Sequence, residues 1–208
     1  MMLRGFSGLI AAVLGLALLS LPGQARAVPI DYFFTGTANG VIGGANFNGA
    51  AFTLSVWADT DDVVEPFAGV FNVPAMSATI EIAGIGTATI TDPVGVFANN
   101  NVVPGQIPAV GFSRFAGGLA VTDLINTVQD FSFSTYDLQS AFAQTATTLD
   151  CCLFFNLGTD LGALGMDVDG PGTFQATVKG EIPEPASLAL FAIALGGLGF
   201  MRRRPQRS

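Results

Sequence analysis

Histidine is missing from all 208 residues of this chain. Its absence removes the commonest general base and the commonest metal ligand together. No Ser-His-Asp or Cys-His arrangement can be assembled, and no zinc site built on imidazole. Cationic side chains are nearly as scarce where a fold would need them. Arg4 and Arg26 sit at the front, and Arg202, Arg203, Arg204 and Arg207 at the back. Between Val28 and Ile182 only Arg114 and Lys179 remain. Phosphoryl transfer lacks its electrostatic clamp there. The stretch Gly40-Val41-Ile42-Gly43-Gly44 has neither the Lys nor the following helix of a phosphate loop. The two basic residues stand against fifteen acidic ones, a net charge of −13. Such a body repels nucleic acid and anionic membrane surfaces. It tolerates calcium or a polysaccharide environment, and the same charge keeps an apolar, Gly-rich chain soluble. The expectation is a protein that is not an enzyme. The reaction class left open is glycoside hydrolysis, for which two carboxylates suffice.

Cysteine is limited to one adjacent pair, Cys151-Cys152. In an oxidising compartment the pair would close on itself or bridge to another molecule. A vicinal disulfide strains the peptide between the two residues, because neighbouring Cα atoms lie closer than disulfide geometry prefers. The plainer reading is two thiols, one of them buried in a strand core.

What the chain does have is two apolar ends. Leu9 to Leu19 forms an uncharged core behind Met1–Arg4, Pro22-Gly23 breaks it, and Ala25-Arg26-Ala27 is a small-x-small site. This is the layout of a secretory signal peptide over residues 1–27, handled by the Sec export machinery and cut by signal peptidase after Ala27. At the other end, Ala186 to Met201 carries no charge and one hydroxyl, Ser187. Sixteen helical residues span roughly 24 Å, short of a hydrocarbon core of about 30 Å. The Arg cluster beyond Met201 lengthens the span by snorkelling and stays cytoplasmic. A buried core helix would show a polar face, which this run lacks. Pro183 and Pro185 exclude a helix before it.

Taken together, Ile182-Pro183-Glu184-Pro185-Ala186-Ser187, the apolar run and the Arg cluster resemble the PEP-CTERM sorting signal of Gram-negative bacteria. Ile182 stands where that family usually has Val. The resemblance covers residues 182–208 only. It implies recognition of Pro183, Glu184 and Pro185 by a membrane processing enzyme, an exosortase. It also implies passage through the inner membrane, transient anchoring by the C-terminal helix, and delivery to the cell surface or to an extracellular or biofilm matrix.

Residues 28–181 then form one extracytoplasmic domain. Phe52, Leu54 and Val56 alternate with Thr53, Ser55 and Trp57; Ala78, Ile80 and Ile82 alternate with Ser77, Thr79 and Glu81; Phe174, Ala176 and Val178 alternate with Thr173, Gln175 and Thr177. Ser77–Ala83 and Thr87–Thr91 flank Gly84-Ile85-Gly86 as a hairpin. Thr37–Gly44 reads as a turn, Asp59–Phe67 as an acidic loop, and Phe131–Ser134 as alternating strand; Asp123–Asp130 is ambiguous, with a helical turn one option. About ten short strands with Gly and Asn turns predict an antiparallel β-sandwich, of which a jelly roll is one version.

Three surface features are candidates for binding. Asp59-Thr60-Asp61-Asp62 and Asp167-Val168-Asp169-Gly170 offer the oxygen ligands calcium takes, though neither completes an EF-hand loop, and solvated turn acids are the plainer reading. The abundant Ser, Thr and Asn opposite the apolar faces suit sugar hydroxyls, with Trp57 as a stacking ring. Half-burial of Trp57 in the sandwich is the plainer expectation. A β-sandwich carbohydrate-binding module is therefore the alternative to a purely structural surface protein.

Overall fold

The computed structural model describes residues 28–100, 107–128, 130–150 and 154–179. The expected signal peptide, the sorting tail and Cys151-Cys152 lie outside these residues. Among the described residues are thirteen strands, two 3-10 turns and no α-helix. Every strand pairing is antiparallel.

The sheet is built outward from β1 (Pro29–Ile42). Ile30, Tyr32 and Phe34 are fully buried on one face, with Asp31, Phe33 and Thr35 on the other. This is the period-2 burial expected of a strand with one side on a core. Along its whole length β1 pairs with β2 (Ala45–Asp59), to which Gly43-Gly44 turns it. On its other side it pairs with two partners in succession. Ile30 to Thr35 meet β13 (Asp169–Val178), and Asn39 to Ile42 meet β12 (Gly162–Asp167). The expected turn at Thr37–Gly44 is thus strand as far as Ile42, with a bulge between Ala38 and Gly40. Gly40 serves close approach rather than a turn: a side chain there would run into the Gly165 carbonyl and the Phe47 ring.

From β2 the sheet continues through β5 (Ser77–Ile82) to β6 (Gly86–Thr89), the predicted hairpin. The end of β6 does not stay open. Ile90 bridges Thr159 at the end of β11 (Phe154–Thr159), Thr91 N donates to Gly158 O at 2.9 Å, and Asp160 N donates to Thr89 O at 3.0 Å. Thr89 N in turn donates to Asp160 Oδ1 at 2.8 Å. Because β11 pairs with β12 and β12 with β1, six strands close into a ring at this end of the molecule. Closure removes an edge that could otherwise recruit another chain.

In the other direction β13 pairs with β10 (Phe142–Asp150), β10 with β9 (Leu119–Val128) over only Thr148, Leu149 and Asp150, and β9 with β8 (Ala109–Ala116). From there run β7 (Val94–Asn99), β4 (Val70–Pro74) and the edge strand β3 (Val64–Phe67). Where two facing sheets were expected, hydrogen bonding is continuous, and the sheet curls so that both halves bury into one core. Val73, Val96, Val110, Phe112 and Ile125 from one half join Leu54, Val56, Ile80 and Phe174 from the other.

Two further expectations are corrected and one ambiguity is resolved. The acidic loop at Asp59–Phe67 is a 3-10 turn at Thr60–Asp62 followed by β3, whose brevity and Pro66 suit an edge. The ambiguous stretch from Asp123 is strand to Val128 rather than a helical turn, because Leu124, Ile125 and Thr127 are buried. Phe131–Phe133 is a 3-10 turn: Asp130 Oδ1 caps it by accepting from Ser132 N at 2.9 Å, which competes with extended backbone.

That last turn starts a connector that fills the core beneath β10 and β13. Phe133, Tyr136 and Leu138 are buried. Phe174 lies among the rings of Phe34, Phe133, Tyr136 and Phe142, with centroids 5.1 to 5.8 Å away, and 6.4 Å from Tyr32. Tyr32 OH donates to Leu138 O at 2.7 Å, and Tyr136 OH to Ser140 O at 3.3 Å.

Candidate functional site

The outward face of β4, β7, β8 and β9 is unusual because it is half covered by its own side chains. β7 is buried from Val94 to Ala98 on both faces. Val94, Val96 and Ala98 point to the core, so Gly95 and Phe97 must be covered from outside. Register explains how. Asn72 stands opposite Phe97, Phe97 opposite Gly111, Gly111 opposite Asn126, and Asn126 opposite Asp150. Directly paired residues share a face, so these five make one row across five strands, roughly 19 Å at about 4.8 Å per strand. Gly111 is where a side chain is excluded: a Cβ would strike the Phe97 ring and the side-chain oxygen Oδ1 of Asn126. Its bare backbone lets that ring lie down, leaving Phe97 only 9 % exposed.

Two cavities adjoin on this row and share Phe97, Asn99 and Asp123 in their walls. One, of about 250 Å³, is completed by Phe67, Asn72 and Leu119 among others. The second, of about 370 Å³, reaches Asn126 and Asp150. The β3–β4 hairpin that carries Phe67 and Asn72 is fixed from both sides. Gly69 N donates to Glu65 Oε1 at 2.7 Å, and Asn100 N donates to Gly69 O at 2.8 Å. Asp123 is oriented by Ser113 Oγ, which donates to its Oδ1 at 2.9 Å.

Among the described residues two polar atoms of the row have no hydrogen-bond partner, Asn72 Oδ1 and Asn126 Oδ1. Asn72 is only 3 % exposed. An unmet buried acceptor costs a fold about 1–3 kcal/mol, so folding alone does not account for an amide here. Neither cavity wall includes a Lys or Arg, while Asp123 and Asp150 contribute carboxylates. The groove accepts hydrogen bonds, offers an aromatic floor, and repels anions.

None of these residues stands out in the sequence, and the residues that do stand out lie elsewhere. Trp57 is on the outward face of β2 and 36 % exposed. Lys179 Nζ sits 5.9 Å from its ring centroid and pairs with Asp31 at 2.8 Å, so a cation already occupies that ring. Asp59 Oδ1 accepts from Asp61 N at 2.9 Å and caps the turn at Thr60–Asp62. Asp167 and Asp169 flank the passage from β12 to β13. Among the described residues no group of three or more acidic or thiol side chains is gathered as a metal site. Among the same residues no helix is long and apolar enough to cross a membrane. Ala25, Ala27, Cys151, Cys152, Pro183, Glu184, Pro185 and the four C-terminal arginines fall outside them.

Compared with known families, residues 181–204 match the PEP-CTERM protein-sorting motif. No curated protein and no solved structure matches the chain.

Proposed function

We propose that this chain is exported across the inner membrane, sorted through its PEP-CTERM tail by an exosortase-type enzyme, and left at the cell surface or in the extracellular matrix as a non-enzymatic protein. The observation that carries this reading is the motif at residues 181–204. The signal-peptide pattern over residues 1–27 supports it, since a sorting tail is useful only to a chain already exported. In this reading the run from Ala186 to Met201 holds the protein in the membrane until processing, with Arg202, Arg203, Arg204 and Arg207 inside. Replacing Pro183, Glu184 and Pro185 by Ala is expected to leave the protein in the envelope fraction with its Arg tail attached. Fractionation with intact-mass analysis of both mature ends reads this. Unchanged release and unchanged mass would count against recognition of the motif.

The absence of histidine and the poverty of cations in the body support a role without turnover. Glycoside hydrolysis is the rival, because Asp123 and Asp150 line one cavity. Incubating the protein with neutral polysaccharides is expected to release no new reducing ends. Release that disappears in Asp123→Asn would establish an enzyme instead. A second functional reading, a sugar-binding module, is favoured by the aromatic and amide-lined groove around Phe97.

A further inference from the structure

We infer that the groove across β4, β7, β8 and β9 is a binding site for a neutral, hydroxyl-rich saccharide, with Asn72 and Asn126 accepting from its hydroxyls and Phe67 packing against a ring face. The inference rests on the sugar-binding reading and is independent of where the tail delivers the protein.

Four observations converge on one ligand chemistry. The unmet groups are acceptors, the amide oxygens of Asn72 and Asn126, both closed off from solvent, so a ligand toward which these amides turn must bring donors. The ligand is not anionic, because the cavity walls hold Asp123 and Asp150 and no cationic side chain. It has an apolar face as well, because Phe67 stands at the mouth of the smaller cavity 73 % exposed. A phenyl ring that exposed adds nothing to the core, and the hairpin that carries it is braced by the Glu65–Gly69 contact. Finally, the site is a row and not a pit. Two adjoining cavities follow one line of paired residues across strands spaced about 4.8 Å apart. That step is close to one pyranose unit. A chain of sugar rings presents hydroxyl donors at its rim and C–H groups on its faces, which answers each of these features. Few, well-placed polar groups on an apolar floor are the general form of such sites.

Asn72 separates a binding role from a folding role by the sign of its effect on stability. Leucine has nearly the shape of asparagine and no acceptor to leave unmet. Asn72→Leu should therefore raise the melting temperature while weakening saccharide binding at least about tenfold. Phe67→Ser should leave the melting temperature unchanged and weaken binding by about tenfold as well. The test is calorimetric titration of the full chain, held in a zwitterionic detergent without a sugar head group. Cellohexaose and chitohexaose are the neutral probes and hexagalacturonate the acidic one. The expected result is saturable binding of at least one neutral probe, none of the acidic probe, and loss in both variants with the stated stability changes. Binding of neither neutral probe, equal binding of the acidic one, or neutral binding untouched by both substitutions would overturn the assignment. Because the titration uses purified protein, its failure leaves the sorting reading intact, and failure of sorting in cells leaves the groove intact.

Discussion

Replacing Phe174 by Ala is expected to destabilise the protein by about 3–5 kcal/mol, the range for emptying a well-packed aromatic site. Phe174 is fully buried on β13 and touches five other rings. Those rings come from three separate parts of the chain: β1 supplies Tyr32 and Phe34, the connector supplies Phe133 and Tyr136, and β10 supplies Phe142. The surroundings cannot collapse onto the vacancy without shifting strands whose register is fixed by hydrogen bonds on both sides. For a domain of this size the loss corresponds to a fall in melting temperature of roughly 6–20 °C. Total stabilities of about 5–15 kcal/mol leave little margin. Phe131 is the internal control. It belongs to the same connector but is 65 % exposed, so Phe131→Ala should stay within about 0.5 kcal/mol of the parent. Chemical denaturation of the three proteins reads the comparison. Equal losses for the two substitutions would mean that the ring cluster is not where the connector is anchored.

How much of this arrangement is legible in the sequence depends on whether a residue's task is local. Phe52, Leu54 and Val56, and likewise Ala78, Ile80 and Ile82, declare their strands and their buried faces by simple alternation, and both faces are as expected. The turn at Gly84-Ile85-Gly86 is local too. Gly40 misleads because Asn39-Gly40 has the composition of a tight turn, while its reason for being glycine is the backbone of β12, more than a hundred residues away. β10 hides for a different reason. Gln144 to Thr148 shows no apolar alternation because that stretch is largely exposed, and the β preference of its threonines alone is a weak signal. Phe131 and Phe133 show the opposite failure, an alternation of two that arises from a capped turn.

Alternation also cannot say whether strands form two sheets or one. It assigns faces, whereas sheet order is fixed by pairings such as Thr148 with Val128 and Ile90 with Thr159, which no local pattern encodes. The groove illustrates the limit most clearly. Asn72, Phe97, Gly111, Asn126 and Asp150 are scattered over five strands and become neighbours only through register. Trp57, the residue that composition singles out, is paired instead with Lys179. The sorting tail lies at the other extreme. Its chemistry is read from a contiguous stretch, so residues 181–204 are recognisable without any fold.

Raising the pH above 10 is expected to unfold the protein in one step that coincides with ionisation of its tyrosines. The chain has two tyrosines, Tyr32 and Tyr136, and both are buried in the ring cluster. Burial pushes both phenols far above their ordinary value, and the negative charge of Asp137 adds to the shift; for Tyr136 the neighbouring Tyr32 phenol adds to it as well. In the unfolded chain each ionises near pH 10. Between that value and the raised folded one, the native state holds protons that the unfolded state has released. Stability then falls as pH rises, by roughly 1.4 kcal/mol per unit for each tyrosine. Two of them remove about 5 kcal/mol by pH 12, which matches the lower range of whole-domain stability. Below pH 10 neither tyrosine contributes a pH dependence. Near-ultraviolet absorbance of tyrosinate and far-ultraviolet circular dichroism, followed with Cys151 and Cys152 alkylated, should change together. Tyr136→Phe should move the midpoint to higher pH at little cost near neutrality, because the hydroxyl it removes makes only the 3.3 Å contact to Ser140 O. Tyr32→Phe should instead cost about 1–3 kcal/mol at neutral pH, since the buried Leu138 carbonyl loses its 2.7 Å donor. Tyrosinate appearing near pH 10 while the strand signal persists would show that the two phenols reach water in the folded protein, and that the cluster around Phe174 is open.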